Sequence, residues 1–405
     1  MFERAPFRDC PRCKQSESLG ILSAGGDQLV RRCKHCRHRV TEFLPELQKK
    51  VIYLDQLAIS EVFKIKTKTR RVGANNEDFW REVEHEIDRA YLLQQVIFPA
   101  SNIHSDETIV SPFSSELMLA HEMLSGDVSF SHVDEVNMLQ VEEFAKSYLK
   151  AGEPPDIAFD IDDILDGERN GWLRDMHITV NADYSVFADR IRAHRDATAS
   201  EFVPLLDKWA AEKPTFEAVL NSELKSFGTA NRSALVFAVE RASRAFETSD
   251  AMAFFEKLSH PVMEQFKRLR AFFEERGVPT SESAKTVSDF WDWPGNEQLP
   301  VHKISAYMFA ALARKIASGQ KRRPTKGMFN DINAIATYGP YVDAMFLDNE
   351  CAQMLSEYPL SSDLNIRAKI FSTRSGDAFL EYLRSLQSAA SPLVCRKAAE
   401  IYGVT

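Results

Sequence analysis

The chain has no run of about 18 apolar residues, the length a helix needs to cross a bilayer. Its first residues, MFERAPFRDC, lack the apolar segment of a secretory leader. These absences argue against a membrane-spanning or exported protein and lead to the expectation of a cytoplasmic one. The GxxxxGK[ST] phosphate loop is missing, which excludes nucleotide hydrolysis of the P-loop kind. None of the Ser/His/Asp motifs of nucleophilic hydrolases occurs. The acidic turns between Asp156 and Asp166 depart from the EF-hand pattern, so they read as solvated surface rather than a calcium loop. Internal repeats and low-complexity tracts are absent as well.

What is present describes a globular chain. Of its 405 residues 44% are hydrophobic and 27% charged, enough to bury a large core in two or three domains. The net charge of −9 hides an asymmetry: residues 1–50 carry 11 Lys and Arg against 6 Asp and Glu, leaving −14 on the remainder. A basic head therefore sits on an acidic body.

Four of the six cysteines fall in that head, as Cys10-Pro-Arg-Cys13 and, after 19 intervening residues, Cys33-Lys-His-Cys36. Zinc takes four soft ligands tetrahedrally, and each CxxC turn offers two thiolates to one ion. Gly and Asp between short apolar stretches suit a hairpin, so residues 1–45 read as a β-rich zinc ribbon with a structural zinc. Redox-active CxxC pairs would need a βαβ context that is missing. Around the second pair stand Arg31, Arg32, Lys34, Arg37 and Arg39. Two readings stay open for them: they grip phosphates, or they offset the negative charge of a zinc–tetrathiolate centre.

The rest of the chain is organised around carboxylates. Val51–Leu54 is an apolar strand followed at once by Asp55, and Ala344–Leu347 is another followed by Asp348. Ligands of open α/β sheets gather outside the carboxyl ends of such strands. Between these two, Ser101 caps a helix over 102–109 that carries His104 and Glu107. Ser111-Pro112 restarts a helix carrying Glu116, and Asp331 opens a short helix that Gly339 and Pro340 stop. Further strands are expected at 96–100 and 368–371. Residues 131–300 read as helical and rich in Phe, the Val262, Phe266, Leu269, Phe273 stripe being core packing, with a linker at Trp291–Gly295. A basic loop holds Lys321, Arg322, Arg323 and Lys326. The expected units are 1–45, 51–130, 131–300 and 301–405.

Clustered carboxylates at strand ends suit Mg2+ or Mn2+, hard ions that activate water and neutralise a phosphodiester's leaving oxygen without a nucleophilic side chain. The order strand-Asp55, helix-Glu107, Asp331-Ile-Asn-Ala-Ile-Ala, then Met-Phe-Leu-Asp348 resembles the PIN domain family. The resemblance covers about 51–125 and 301–400. It implies a three-layer α/β/α fold with a parallel sheet and a metal-dependent nuclease, usually acting on RNA. Asp55, Glu107, Asp331 and Asp348 would be its metal-binding acids. On this reading residues 131–300 are an insertion that shapes a substrate channel or carries a protein partner or dimer contact. Glu116 is the alternative second acid, Asp343 a further candidate ligand, and His104 either a ligand or a packed histidine. The Lys321–Lys326 loop and the ribbon would hold nucleic acid. RNA processing, a toxin and a defence nuclease all fit. Two rival readings remain: a transposase-like, RNase H-like DNA enzyme, whose core would open with an antiparallel meander, and a non-catalytic binding regulator.

Overall fold

Side chains alternate across a strand, and Lys50–Leu54 (β4) shows what that alternation builds. Val51 and Tyr53 join one hydrophobic core while Ile52 and Leu54 join another. A strand buried on both faces belongs in the middle of a parallel sheet. The computed structural model, which describes residues 7–70, 75–151, 153–173, 185–247, 261–320, 324–325 and 327–404, places β4 there.

The elements before the sheet are Leu19–Gly25 (β1), Gln28–Cys33 (β2) and Arg39–Phe43 (β3), an antiparallel sheet of order β1-β2-β3. After β4 come Gln56–Lys66 (α1), Glu77–Leu92 (α2), Val96–Ile97 (β5), Asn102–Ile109 (α3) and Ser114–Ser125 (α4). A short ribbon, Ser129–Phe130 (β6) with Leu165–Asp166 (β7), brackets Val133–Leu149 (α5). The helices Ser185–Glu212 (α6), Phe216–Glu247 (α7), Pro261–Glu275 (α8), Thr280–Trp291 (α9) and Pro300–Ala317 (α10) follow. The chain then returns through Met328–Tyr338 (α11) to Ala344–Phe346 (β8). It closes with Asn349–Ser356 (α12), Leu360–Asp363 (α13), Lys369–Phe371 (β9), Gly376–Ser388 (α14) and Pro392–Tyr402 (α15).

The central sheet is parallel throughout, in the order β5-β4-β8-β9, with Ile52 opposite Ala344 and Leu54 opposite Phe346. One face packs on α1, α2 and α14 through Ile59, Val62, Trp80, Ile87, Phe379 and Leu383. The other packs on α10, α11 and α12, joined by Val136 of α5, Trp209 of α6 and Phe216 of α7. Helices thus cover both faces of the sheet. A separate aromatic core, including Phe144, Leu269, Phe273, Phe290 and Trp291, holds α5, α8 and α9 together. Leu269 and Phe273 of the predicted stripe are fully buried in it.

The ribbon is not a loose head. Leu29, Leu44 and Leu47 share a core with Trp172 and with Val394, Ala398, Ile401 and Tyr402 of α15. Trp172 donates its indole N–H to the Pro45 carbonyl at 2.8 Å. Fully burying such side chains is worth about 1.5–3 kcal/mol each, so the C-terminal helix and the N-terminal sheet stabilise one another.

Several boundaries differ from those expected. Helix α4 starts at Ser114 instead of at Pro112, because Ser111 first makes a turn, accepting the Phe113 N–H on its hydroxyl at 3.1 Å. Helix α11 starts at Met328, which puts Asp331 inside its first turn rather than at its cap. The Trp291–Gly295 stretch is no linker: Trp291 is 2% exposed and Trp293 lies 5.8 Å from Tyr148, ring to ring. The 96–100 strand pairs only over Val96–Ile97. Lys321, Arg322, Arg323 and Lys326, the basic loop expected to face nucleic acid, lie outside the described residues.

Candidate metal centre

From β4 the chain steps to β5 on one side, and later to β8 and β9 on the other. Where neighbouring strands lead off in opposite directions, a crevice opens at their carboxyl ends. Asp55 and Asp348 stand on its two lips. Asp55 follows β4 directly and Asp348 follows β8 after Leu347, and each caps the next helix, Asp55 accepting the Ala58 N–H at 2.8 Å and Asp348 the Cys351 N–H at 2.7 Å. Capping fixes both carboxylates by backbone geometry, which is why an acid appears at this point of each strand–helix turn.

Asp331 descends on α11, and one of its oxygens lies with an Asp348 oxygen and the Cys351 sulfur, all within 4.8 Å of one another. Glu107 arrives on α3, where its Oε1 accepts the Asn330 side-chain N–H at 2.9 Å and lies 3.8 Å from Arg195 of α6. Burial pushes the Asp55 carboxyl up to about 7, helped by the charges of Asp348 and Glu107 and opposed by the Ala58 N–H. Asp331 is pushed well above the usual carboxylate range by burial first, then by Asp348, Asp55 and Glu107. Asp348 and Glu107 act on both Asp55 and Asp331, so the four predicted acids lie near one another, with Asp331 and Asp348 the pair that meets within 4.8 Å. Among the described residues no Lys or Arg pairs with Asp55, Asp331 or Asp348. Asp55 and Asp331, both raised by burial, therefore either stay protonated or take up a cation.

Comparison with protein-family models, with curated proteins and with solved structures gives no match. The geometry alone therefore sorts the remaining candidates. Glu116 is exposed on α4, whereas Glu107 acts on both Asp55 and Asp331, so of the two candidates for the second acid the fold brings Glu107 toward them. Asp343 lies at the other, amino end of the sheet, accepting the Val51 N–H at 2.9 Å and pairing Lys50 at 3.0 Å. It ties β4 to β8, away from the acids at the carboxyl end. His104 is buried, and its Nε2 lies 2.8 Å from the Leu54 carbonyl, so Nε2 carries the proton and donates. Its Nδ1 then accepts the Ser101 N–H at 3.2 Å within a capping box. Burial, then the neighbouring His121, depress its basicity far below the ordinary range, so the ring stays neutral. His104 holds the peptide just before Asp55 and offers no lone pair to a metal.

The ribbon's cysteines come together as expected. Cys10 and Cys36 sulfurs are 3.6 Å apart, Cys13 and Cys33 sulfurs 3.7 Å, close to the edge of about 3.8 Å that a tetrahedron of Zn–S bonds near 2.3 Å requires. The two CxxC turns are built alike. Cys10 and Cys33 donate N–H to the carbonyls of Gln15 and His38, and Lys14 and Arg37 donate back to Cys10 and Cys33. Lys14 and Arg37 both adopt positive φ, 60° and 59°. Four sulfurs in this arrangement could hold one zinc ion with no open position.

Of the basic residues beside them, Lys34, Arg37 and Arg39 are exposed and Arg32 is half-buried. Arg31 is not available to nucleic acid: its side chain is fully buried, ion-paired to Glu400 of α15 and 3.7 Å from Glu42. Alternation along β2 explains it, since Arg31 faces the C-terminal helix while its neighbours face outward. Arg31→Ala should therefore cost about 1.5–3 kcal/mol in urea denaturation, because Glu400 loses a buried charged partner while keeping Arg8 and Lys397. Lys34→Ala and Arg37→Ala should each change stability by less than about 0.5 kcal/mol.

Beside the acids lies a cleft of about 510 Å³, lined by Leu57, Lys315, Gln320, Met328, Asp348 and Arg374 among others. Lys315, Arg374 and Arg195 place positive charge around the acidic centre, and none of the three stands out in the sequence. Cys351 was missed too; its only signal is the three-residue spacing from Asp348, one helical turn on.

Proposed function

We propose that the chain is a divalent-metal-dependent nuclease, with the acidic cluster as its catalytic centre and Mg2+ or Mn2+ as its catalytic ion. The carrying observation is the meeting of Asp331 and Asp348 at the switch point of a parallel sheet, with Asp55 and Glu107 close enough to act on Asp331. Asp331 and Asp348 would hold the ion directly, with Asp55 and Glu107 completing the charge around it. When bound, the ion would polarise a phosphodiester and lower the pKa of a water. The chain's own residues do the positioning. The caps at Ala58 and Cys351 fix two carboxylates, Asn330 orients Glu107, and His104 secures the strand end beneath Asp55. Lys315 and Arg374 line the cleft where phosphates would lie, and Arg195 extends the positive rim from α6.

The parallel sheet and the helices on both of its faces support the resemblance to PIN domains, which favours RNA as the substrate class. In that frame the helical segment between α4 and α10 is an insertion, and the approach of α6 to Glu107 supports a role in shaping the substrate channel. The transposase-like reading needed an antiparallel meander at the start of the core. Here β4 leads into a helix and pairs only in parallel, which favours the first reading. The ribbon is proposed to bind zinc and, through Arg32, Lys34, Arg37 and Arg39, the phosphate backbone. Arg37→Ala should weaken RNA binding uniformly across sequences and flatten its salt dependence.

The test is cleavage of labelled single- and double-stranded RNA and DNA by the purified protein with Mn2+ or Mg2+. Glu107→Gln should lower the rate by about 100-fold or more, and Glu116→Gln should leave it unchanged. Intact nucleic acid under every condition, with no stoichiometric Mn2+ site by calorimetry, would favour the non-catalytic regulator instead.

A further inference from the structure

Cys351 plays no part in the mechanism above, yet its thiol is fully buried beside that mechanism's acids. It is the third residue of α12, and its own N–H closes the cap on Asp348 at 2.7 Å. The same short turn thus presents an oxygen and a sulfur to one point. Asp331 supplies the third atom from α11, the three lying within 4.8 Å of one another. Among the described residues the thiol makes no hydrogen bond. A polar group is aimed into the acidic pair with nothing there to satisfy it.

We propose that Cys351 is a ligand of the metal held by Asp331 and Asp348, so that the centre selects a thiophilic transition ion over Mg2+. The proposal rests on the reading of Asp331 and Asp348 as metal ligands. Mg2+ demands near-ideal octahedral oxygen coordination, whereas Zn2+ and Co2+ accept mixed oxygen and sulfur donors. A sulfur fixed at this position takes a place that water or carboxylate oxygen would fill around Mg2+. On coordination the S–H bond gives its electron pair to the ion, and the proton leaves to buffer. One thiol proton is therefore released for each ion bound.

Co2+ tests this because its complexes report sulfur directly. The full-length protein, with zinc retained in its ribbon, is titrated with Co2+ and followed by absorption. The expected result is a near-ultraviolet sulfur-to-cobalt charge-transfer band that saturates at one added equivalent. That band should vanish in Cys351→Ala and in Asp331→Asn, with Co2+ affinity falling about 100-fold or more in Cys351→Ala and Mg2+ affinity unchanged. Cys351→Ser, closer in size and polarity, provides a second variant, and circular dichroism verifies folding of both. A Co2+ site that disappears in Asp331→Asn but shows no charge-transfer band, or keeps its affinity in Cys351→Ala, overturns the sulfur ligand and leaves the acidic metal site standing. Absence of any Co2+, Mn2+ or Mg2+ site sensitive to Asp331→Asn overturns both.

Discussion

Asp331→Asn should abolish cleavage and, in the absence of divalent ions, make the protein more stable near neutral pH. Both effects come from one cause. The amide keeps the shape of the carboxylate but cannot supply its charge, so the ion loses a ligand and the rate should fall by about 10³-fold or more. The same charge is a burden to the metal-free fold. Asp331 and Asp55 have folded-state values raised above their ordinary ones, by burial first and by the neighbouring acids after it. A raised carboxyl contributes its stability in full below the unfolded value, and that stability is lost as pH rises through the folded value. For Asp55 the window runs from 3.8 to about 7, and the loss across it is on the order of 4 kcal/mol. Wild-type protein dialysed free of Mg2+ and Mn2+ should therefore lose denaturation midpoint across that window and regain it when Mn2+ is added. Asp331→Asn should show a flatter profile, a higher midpoint near pH 8 and little response to Mn2+. Asp55→Asn should abolish cleavage likewise, with its cap weakened but not lost, since an asparagine also caps. Wild-type cleavage by both variants, or a lower midpoint for Asp331→Asn near pH 8, would sink the catalytic assignment.

Cys33→Ser should cost several kcal/mol of stability and abolish zinc binding at the four-cysteine cluster, and its damage should spread well beyond the ribbon. Structural zinc contributes folding free energy outright, about 10–16 kcal/mol in isolated fingers. Here the ribbon also carries one wall of a core. Leu29 of β2, with Leu44 and Leu47 just beyond β3, packs against Ala398, Ile401 and Tyr402 of α15. Arg31 and Glu42 anchor the same helix through Glu400 and Lys397. Loss of the four-sulfur cluster frees β1 and β2, exposes that apolar surface and breaks the pairs of Arg31 with Glu400 and of Glu42 with Lys397. The expected observations are near-zero zinc by metal analysis, a lowered thermal midpoint and early hydrogen exchange in α15 as well as in the ribbon. A variant that keeps one zinc, or that loses zinc while α15 stays protected, would show that the two ends of the chain are independent.

The acidic centre was legible in the sequence because its parts have strong local signatures. Val51–Leu54 and Ala344–Leu347 are apolar runs that can only be buried strands, and an acid immediately after each is a cap signal whatever its further role. Helix α3 was readable to the residue from Ser101 and its apolar neighbours. The two CxxC pairs specified their own geometry through spacing alone. Such features depend on a few adjacent residues, so no distant contact is needed to read them.

Other assignments waited on the fold. Glu107 and Glu116 sit nine positions apart on short helices of similar composition, and only the packing of α3 against the strand end brings one to the centre. Asp343 and Asp348 flank the same strand, but one stands at its amino end and the other at its carboxyl end, and direction in the sheet separates an anchor between strands from a member of the acidic group. Arg31 looks like its basic neighbours in the sequence and differs only in which face of β2 meets α15. Cys351, Lys315, Arg374 and Arg195 gained their place from helices that converge over hundreds of residues. The sequence by itself determined the strands, their terminal acids and the cysteine cluster, because caps, turns and apolar runs are local. The tertiary structure alone decided which charges share a site and which are buried in pairs, because charge and burial act between residues close in space rather than along the chain.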